Sequence, residues 1–221
     1  MECFKFLQKN IHLDFEISFS NVVLTIWHEA KIRYCLFHYE QSIERKRKHY
    51  LNLYNNNSEV RDSFKRIRTL PLIPCEYVIE VFDLIKAKNT FEELEEFFNY
   101  FHSTYIERYD IEFWNYYNEE YLRTNNPCES YNNRLNSYFE KKPTFFQLIN
   151  ILSREESLII KEYEHLILNG IRKFRKKALS DYYSCLIYYK EKINEIKGNS
   201  IKAEKERINI WYEACLRLPI Y

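Results

Sequence analysis

Only two glycines, Gly170 and Gly198, occur in 221 residues, and they are accompanied by five prolines. The tight turns of sandwiches and barrels need residues that accept positive φ, which glycine supplies at no steric cost. A chain this poor in glycine therefore argues against all-β architectures and for helices. Its length suffices for one large domain or two small ones, with a real hydrophobic core. Hydrophobic residues make up 46% and charged residues 29%, a balance that places it among globular chains and outside the disordered ones.

Tyr and Phe are abundant while Ile, Asn and Lys recur, the set that AT-rich codons encode, so aromatic richness is read first as codon bias. A net charge of +1 gives no global field toward nucleic acid or membrane, and any such binding must come from local patches. Six cysteines, at 3, 35, 75, 128, 185 and 215, form no CxxC pair, which fits reduced thiols in an intracellular protein. No apolar run approaches membrane-spanning length, and the first residues lack a signal-peptide pattern.

Read in order, Asn10 to Leu13 is a strand candidate leading to Asp14, and the apolar spacing of Phe15, Phe19, Val22, Val23, Ile26 and Trp27 predicts a helix to about Glu29. Asp14 thus lies between a strand end and a helix start, where an N-cap is the plain reading. Ala30 to Cys35 reads as a second strand, followed by a basic helix from about Phe37 to Tyr50, so the first fifty residues form an α/β unit. Cys35 and His38 fall at the turn between that strand and its helix. Their spacing could make half of a zinc site, but four ligands are needed and the sequence shows no partner pair, so a packed thiol and a hydrogen-bonding imidazole are the default reading.

Residues 51–122 read as an all-helical block, with helices near 59–68, 75–88, 91–108 and 111–121. Trp114, Tyr116 and Tyr117 could stack on a base or belong to a core. The next stretch, Arg123-Thr-Asn-Asn-Pro-Cys-Glu129, has a capping signature: Asn126 as N-cap, Pro127 at the first helical position and Glu129 three residues after the cap. On the helix that follows, Glu129, Asn132, Asn133, Asn136 and Glu140 form a polar stripe. Asn disfavours helix by a few tenths of a kcal/mol, so such a stripe suggests a surface selected for hydrogen bonding. Further helices are expected from Thr144 to Glu164 and near 165–179, 181–197 and 200–216. The densest basic run is Arg172, Lys173, Arg175, Lys176 and Lys177, either a phosphate-contacting patch or a solvated helix face.

Asp14-Phe-Glu16, Cys35-Leu-Phe-His38, Trp114-Asn115 and Arg123-Thr-Asn125-Asn126-Pro-Cys-Glu129, in this order from about His12 to Glu155, resemble the Mutator-like (MULE) DNA transposases. The resemblance implies an RNase H-like α/β catalytic domain interrupted by a helical insertion and acting in cut-and-paste transposition. It implies Asp14 as the second catalytic acid, Glu129 as the third, and two Mg²⁺ or Mn²⁺ ions, one activating the attacking oxygen and the other stabilising the leaving one. Cys35, His38, Trp114, Arg123, Asn125 and Asn126 would be supporting motif positions, DNA and an intact transposase the partners, and the nucleus the location.

The family's first catalytic Asp lies on the first strand of its sheet, upstream of anything matched here. The expected architecture is therefore mainly α with a small α/β portion, an incomplete RNase H-like fold with two remaining strands, a helical insertion and a C-terminal helical tail. Its segments would be 1–50, 51–122, 123–155 and 156–221. The expected function is that of a truncated or degenerate transposase fragment, inactive by itself, with a non-enzymatic domesticated DNA-binding or protein-interaction module as the alternative. Two strands with half a sheet missing are expected to be poorly anchored, with an exposed edge.

Overall fold

Asn10–Leu13 and Lys31–Tyr34 pair as two parallel strands, β1 and β2, with Ile11 opposite Ile32 and Leu13 opposite Tyr34. Parallel strands cannot be joined by a tight turn. The link is accordingly a helix, α1 (Ile17–Ile26), anchored where the Ser20 hydroxyl meets the Tyr34 hydroxyl at 2.7 Å. The structure, a computed structural model, describes residues 10–118, 126–139, 143–169 and 177–219, with the backbone alone at 10, 126–129, 166, 169 and 177–180.

The helix after β2, α2 (Leu36–Arg47), buries Leu36, Tyr39 and Ile43, a stripe at helical spacing. Then follow α3 (Leu51–Asn56), α4 (Ser58–Thr69), α5 (Val78–Ala87), α6 (Glu95–Phe101), a π-helical segment (His102–Arg108) and α7 (Ile111–Trp114), with single 3-10 turns between several of them. Later come α8 (Asn126–Ser137), α9 (Phe145–Asn169), α10 (Lys177–Asn194) and α11 (Ile201–Arg217). The described residues are thus mainly helical, with two parallel strands in a single sheet.

Contacts divide the chain into two compact units, 1–125 together with 178–221, and 126–177. The expected partition differs from this one, because the last helices return to the first unit. Thr69 donates its hydroxyl hydrogen to the Cys215 carbonyl at 2.8 Å, supplying a partner to one of the carbonyls that the end of α11 leaves without an intrahelical donor. Arg66 donates from Nε to the Tyr212 carbonyl at 3.2 Å, and its guanidinium lies 4.0 Å from the Tyr212 ring centre. Between α10 and α11, Gly198 has φ of +81°; a Cβ there would meet nothing within 4 Å, so backbone conformation and not space requires the glycine.

The core of the first unit is aromatic. Tyr39 stacks on Trp114 at 5.6 Å between ring centres and meets Tyr105 edge-on at 4.9 Å. Phe82 stacks on Phe101 at 4.9 Å, and Phe64 on Phe97 at 4.5 Å. Tyr105 sits within the π-helical segment, where the widened turn ends one helical run before α7 begins.

Two expectations need correction. The helix expected over 111–121 stops at Trp114: Asn115 is extended, its side chain donates to the Ile73 carbonyl at 2.8 Å, and the Tyr116 amide donates to the Pro71 carbonyl at 2.6 Å. Tertiary hydrogen bonds there outcompete the helical ladder. The strands are also well anchored. Tyr116 donates its hydroxyl hydrogen to the Tyr34 carbonyl at 2.6 Å, Tyr109 to the Phe15 carbonyl at 2.9 Å, and Arg33 to the Glu112 carbonyl at 2.9 Å. These bonds, with Ile32 and Tyr34 nearly fully buried, replace the neighbouring strands that a larger sheet would provide.

In the second unit, Thr144 and Gln147 cap α9 reciprocally: the Thr144 amide donates to Gln147 Oε1 at 2.8 Å, while the Gln147 amide points at the Thr144 hydroxyl oxygen at 3.4 Å. Arg134 of α8 pairs with the buried Glu155 of α9 at 2.5 Å.

On α2, burial raises the Glu40 carboxyl from an ordinary 4.5 to about 7, and Arg68, 3.8 Å away, offsets only part of that cost. Because the folded-state value is raised, Glu40 costs the fold nothing below pH 4.5, and its contribution to stability falls as pH rises through 7. The loss is up to about 3 kcal/mol. Glu40→Gln is expected to match the parent chain in urea unfolding at acid pH and to be the more stable above neutrality, with a flatter pH profile.

Candidate functional site

Asp14, Cys35 and His38 converge at the C-terminal ends of the two strands. The cause is local. One residue beyond the last paired positions, Leu13 and Tyr34, the ladder brings Asp14 beside Cys35, whose amide still donates to the Leu13 carbonyl at 2.8 Å. Cys35 occupies the cap position of α2 and His38 its first turn, so a three-residue step returns the imidazole to the side of the thiol.

His38 Nδ1 lies 2.9 Å from Asp14 Oδ1. One donor atom from each of the three residues falls within 4.8 Å of the other two. Burial is graded: Cys35 is inaccessible, the His38 side chain is 28% exposed and that of Asp14 53%, so the sulfur forms the floor and the carboxylate the rim. An oxygen, a nitrogen and a sulfur donor offered together suit a borderline-soft transition ion.

The Mg²⁺ or Mn²⁺ pair implied by resemblance would need Glu129 beside Asp14, and the Glu129 side chain lies outside the described residues. Hard cations take oxygen ligands, and the cluster presents a single carboxylate beside a thiol and an imidazole. Glu16, expected as part of the acidic motif, sits at the cap position of α1 without a side-chain capping bond.

The remaining motif positions divide. Trp114 is buried, donates from Nε1 to the Tyr105 carbonyl at 3.1 Å and stacks on Tyr39, so it is a core residue here and offers no face to a base. Asn115 is buried and fixes the chain direction after α7, accepting the Tyr117 amide at 3.1 Å. Asn126 is the first residue of α8 and Glu129 lies in that helix's first turn, but both side chains lie outside the described residues, as do Arg123 and Asn125. Asp14 and Glu129 belong to different compact units. Arg172, Lys173, Arg175 and Lys176 lie outside the described residues, and Lys177 begins α10 with its side chain outside them.

Two features escaped the sequence reading. Asp14 as a third donor beside Cys35 and His38 was visible only through strand register. The Arg134–Glu155 pair spans two helices, and its one signal was a charged residue, Glu155, in line with the apolar positions of α9.

No protein-family model, no curated protein and no solved structure matches this chain. Among the described residues no helix is long and apolar enough to cross a membrane.

Because Asp14 is half exposed while Trp114 is enclosed, their substitutions should separate. Asp14→Asn is expected to cost under about 1 kcal/mol, the range of exposed ion pairs. Trp114→Ala is expected to cost about 3–5 kcal/mol, as other buried aromatic truncations do, when both are measured by denaturant unfolding.

Proposed function

We propose that the chain is part of the catalytic domain of a cut-and-paste DNA transposase resembling the Mutator-like group, lacking a competent two-metal centre among its described residues. The observation that carries this reading is the parallel β-α-β unit with Asp14 at the end of its first strand and the Cys35 to His38 pair at the end of its second. That is the order in which the resemblance expects an RNase H-like strand pair, and α3 to α7 fall within 51–122, the stretch expected as its helical insertion. On this reading the chain works on DNA in the nucleus, alone as a binding fragment or beside an intact transposase.

Strand cleavage needs clustered carboxylates to hold two hard ions. Asp14 contributes one, and among the described residues it clusters with a thiol and an imidazole. The expected behaviour is duplex-DNA binding whose affinity falls linearly with salt on logarithmic axes, with no cleavage in Mg²⁺ or Mn²⁺. Absence of DNA binding at low salt would overturn the reading. Cleavage abolished by Glu129→Gln would overturn the lack of activity.

A protein-interaction module is the second reading, favoured by α9, where Phe145, Phe146 and Leu168 are 69%, 78% and 83% exposed. Sedimentation showing concentration-dependent association that Phe146→Glu abolishes, with no affinity for DNA, would favour this reading over the first.

A further inference from the structure

We infer that Asp14, Cys35 and His38 supply three ligands of a site for Zn²⁺. The inference rests on the geometry of the cluster and not on the transposase reading.

Zn²⁺ binds thiolate at about 2.3 Å and imidazole nitrogen or carboxylate oxygen at about 2.0–2.2 Å, and a tetrahedral arrangement then holds the donors roughly 3.3–3.7 Å apart. Donor atoms already within 4.8 Å of one another reach that spacing through small side-chain rotations, without movement of the strands. His38 and Asp14 start nearer still, at 2.9 Å, and an ion entering between them would separate them by less than an ångström.

Access and rigidity agree with this assignment. The Cys35 sulfur is buried while Asp14 is half exposed, so an ion enters past the carboxylate and meets the thiolate last. That burial also argues against the thiol as a nucleophile, since a substrate carbonyl could not reach it. Backbone elements hold two of the three ligands: the Cys35 amide is bonded to Leu13, and His38 lies in a helix whose buried Tyr39 is locked by Trp114. Thiolate, imidazole and carboxylate are the donor types that Zn²⁺ takes in proteins.

The test is Co²⁺ titration of the full, reduced and metal-free chain, followed by displacement with Zn²⁺. The expected result is a thiolate-to-cobalt charge-transfer band in the near ultraviolet, saturating at one ion per chain and lost on adding Zn²⁺. Cys35→Ser should abolish the band, whereas Cys75→Ser and Cys185→Ser should leave it unchanged. Loss of an outer-shell partner alone costs about 10–100-fold in affinity, so Asp14→Asn and His38→Ala should each weaken Zn²⁺ at least tenfold. Should Cys35→Ser fail to fold, Asp14→Asn decides: Zn²⁺ should raise the Tm of the parent chain and not that of Asp14→Asn, and millimolar Mg²⁺ should shift neither. No charge-transfer band, a band that survives Cys35→Ser, or an equal Tm shift in Asp14→Asn would each overturn the assignment. DNA binding is measured separately, so loss of the metal site and loss of the transposase reading remain distinguishable.

Discussion

Tyr39 is the contact on which the first unit depends. Its hydroxyl donates to the Ile67 carbonyl at 2.5 Å, its face lies on Trp114, and its edge meets Tyr105. One side chain thereby ties α2 to α4, to the π-helical segment and to α7. Full burial holds the phenol well above its ordinary pKa, so it remains a neutral donor across the physiological range. Because Tyr39 follows His38 directly, the same packing that closes the core fixes the first turn of α2, where two of the three candidate ligands sit.

The two strands owe their order to this core. An isolated strand pair is marginal in water, and β1 and β2 gain what a wider sheet would offer from three tyrosine and arginine hydrogen bonds to backbone carbonyls. Phe15 and Tyr34 stack at 4.8 Å and both meet Tyr109, which places aromatic contacts under the strand ends as well. The donor cluster therefore adjoins packed rings, with the Asp14 side chain half exposed. A rigid floor with an exposed rim suits a small ion better than a large substrate, and the mixed donors favour a borderline-soft one over Mg²⁺.

Much of the fold was legible in the chain. Scarce glycine directed it to helices, the apolar stripe of α2 marked its buried face, and the strand candidates at 10–13 and 30–35 coincide with β1 and β2 to within a residue. The failures have one physical source. Trp114-Asn115-Tyr116 continues a helical pattern, yet Asn115 and Tyr116 spend their hydrogen-bonding groups on Ile73, Pro71 and Tyr34, partners more than forty residues away for the two backbone acceptors of the earlier loop and farther for the strand. Periodicity in a short window carries no information about such partners.

The site divides in the same way. Cys35 and His38 could be paired from sequence, because a three-residue step at a helix start is a local property. Asp14 could not be added to them, since its position depends on strand pairing across α1. Sequence alone determined a helical chain with two short strand candidates near its start, and it determined which side chains could act as ligands. Only tertiary structure decided that three of them meet, that Trp114 belongs to the core, and that the final helices return to the first unit. Each of those outcomes depends on contacts between residues distant in sequence, whose energies exist only once the chain has closed on itself.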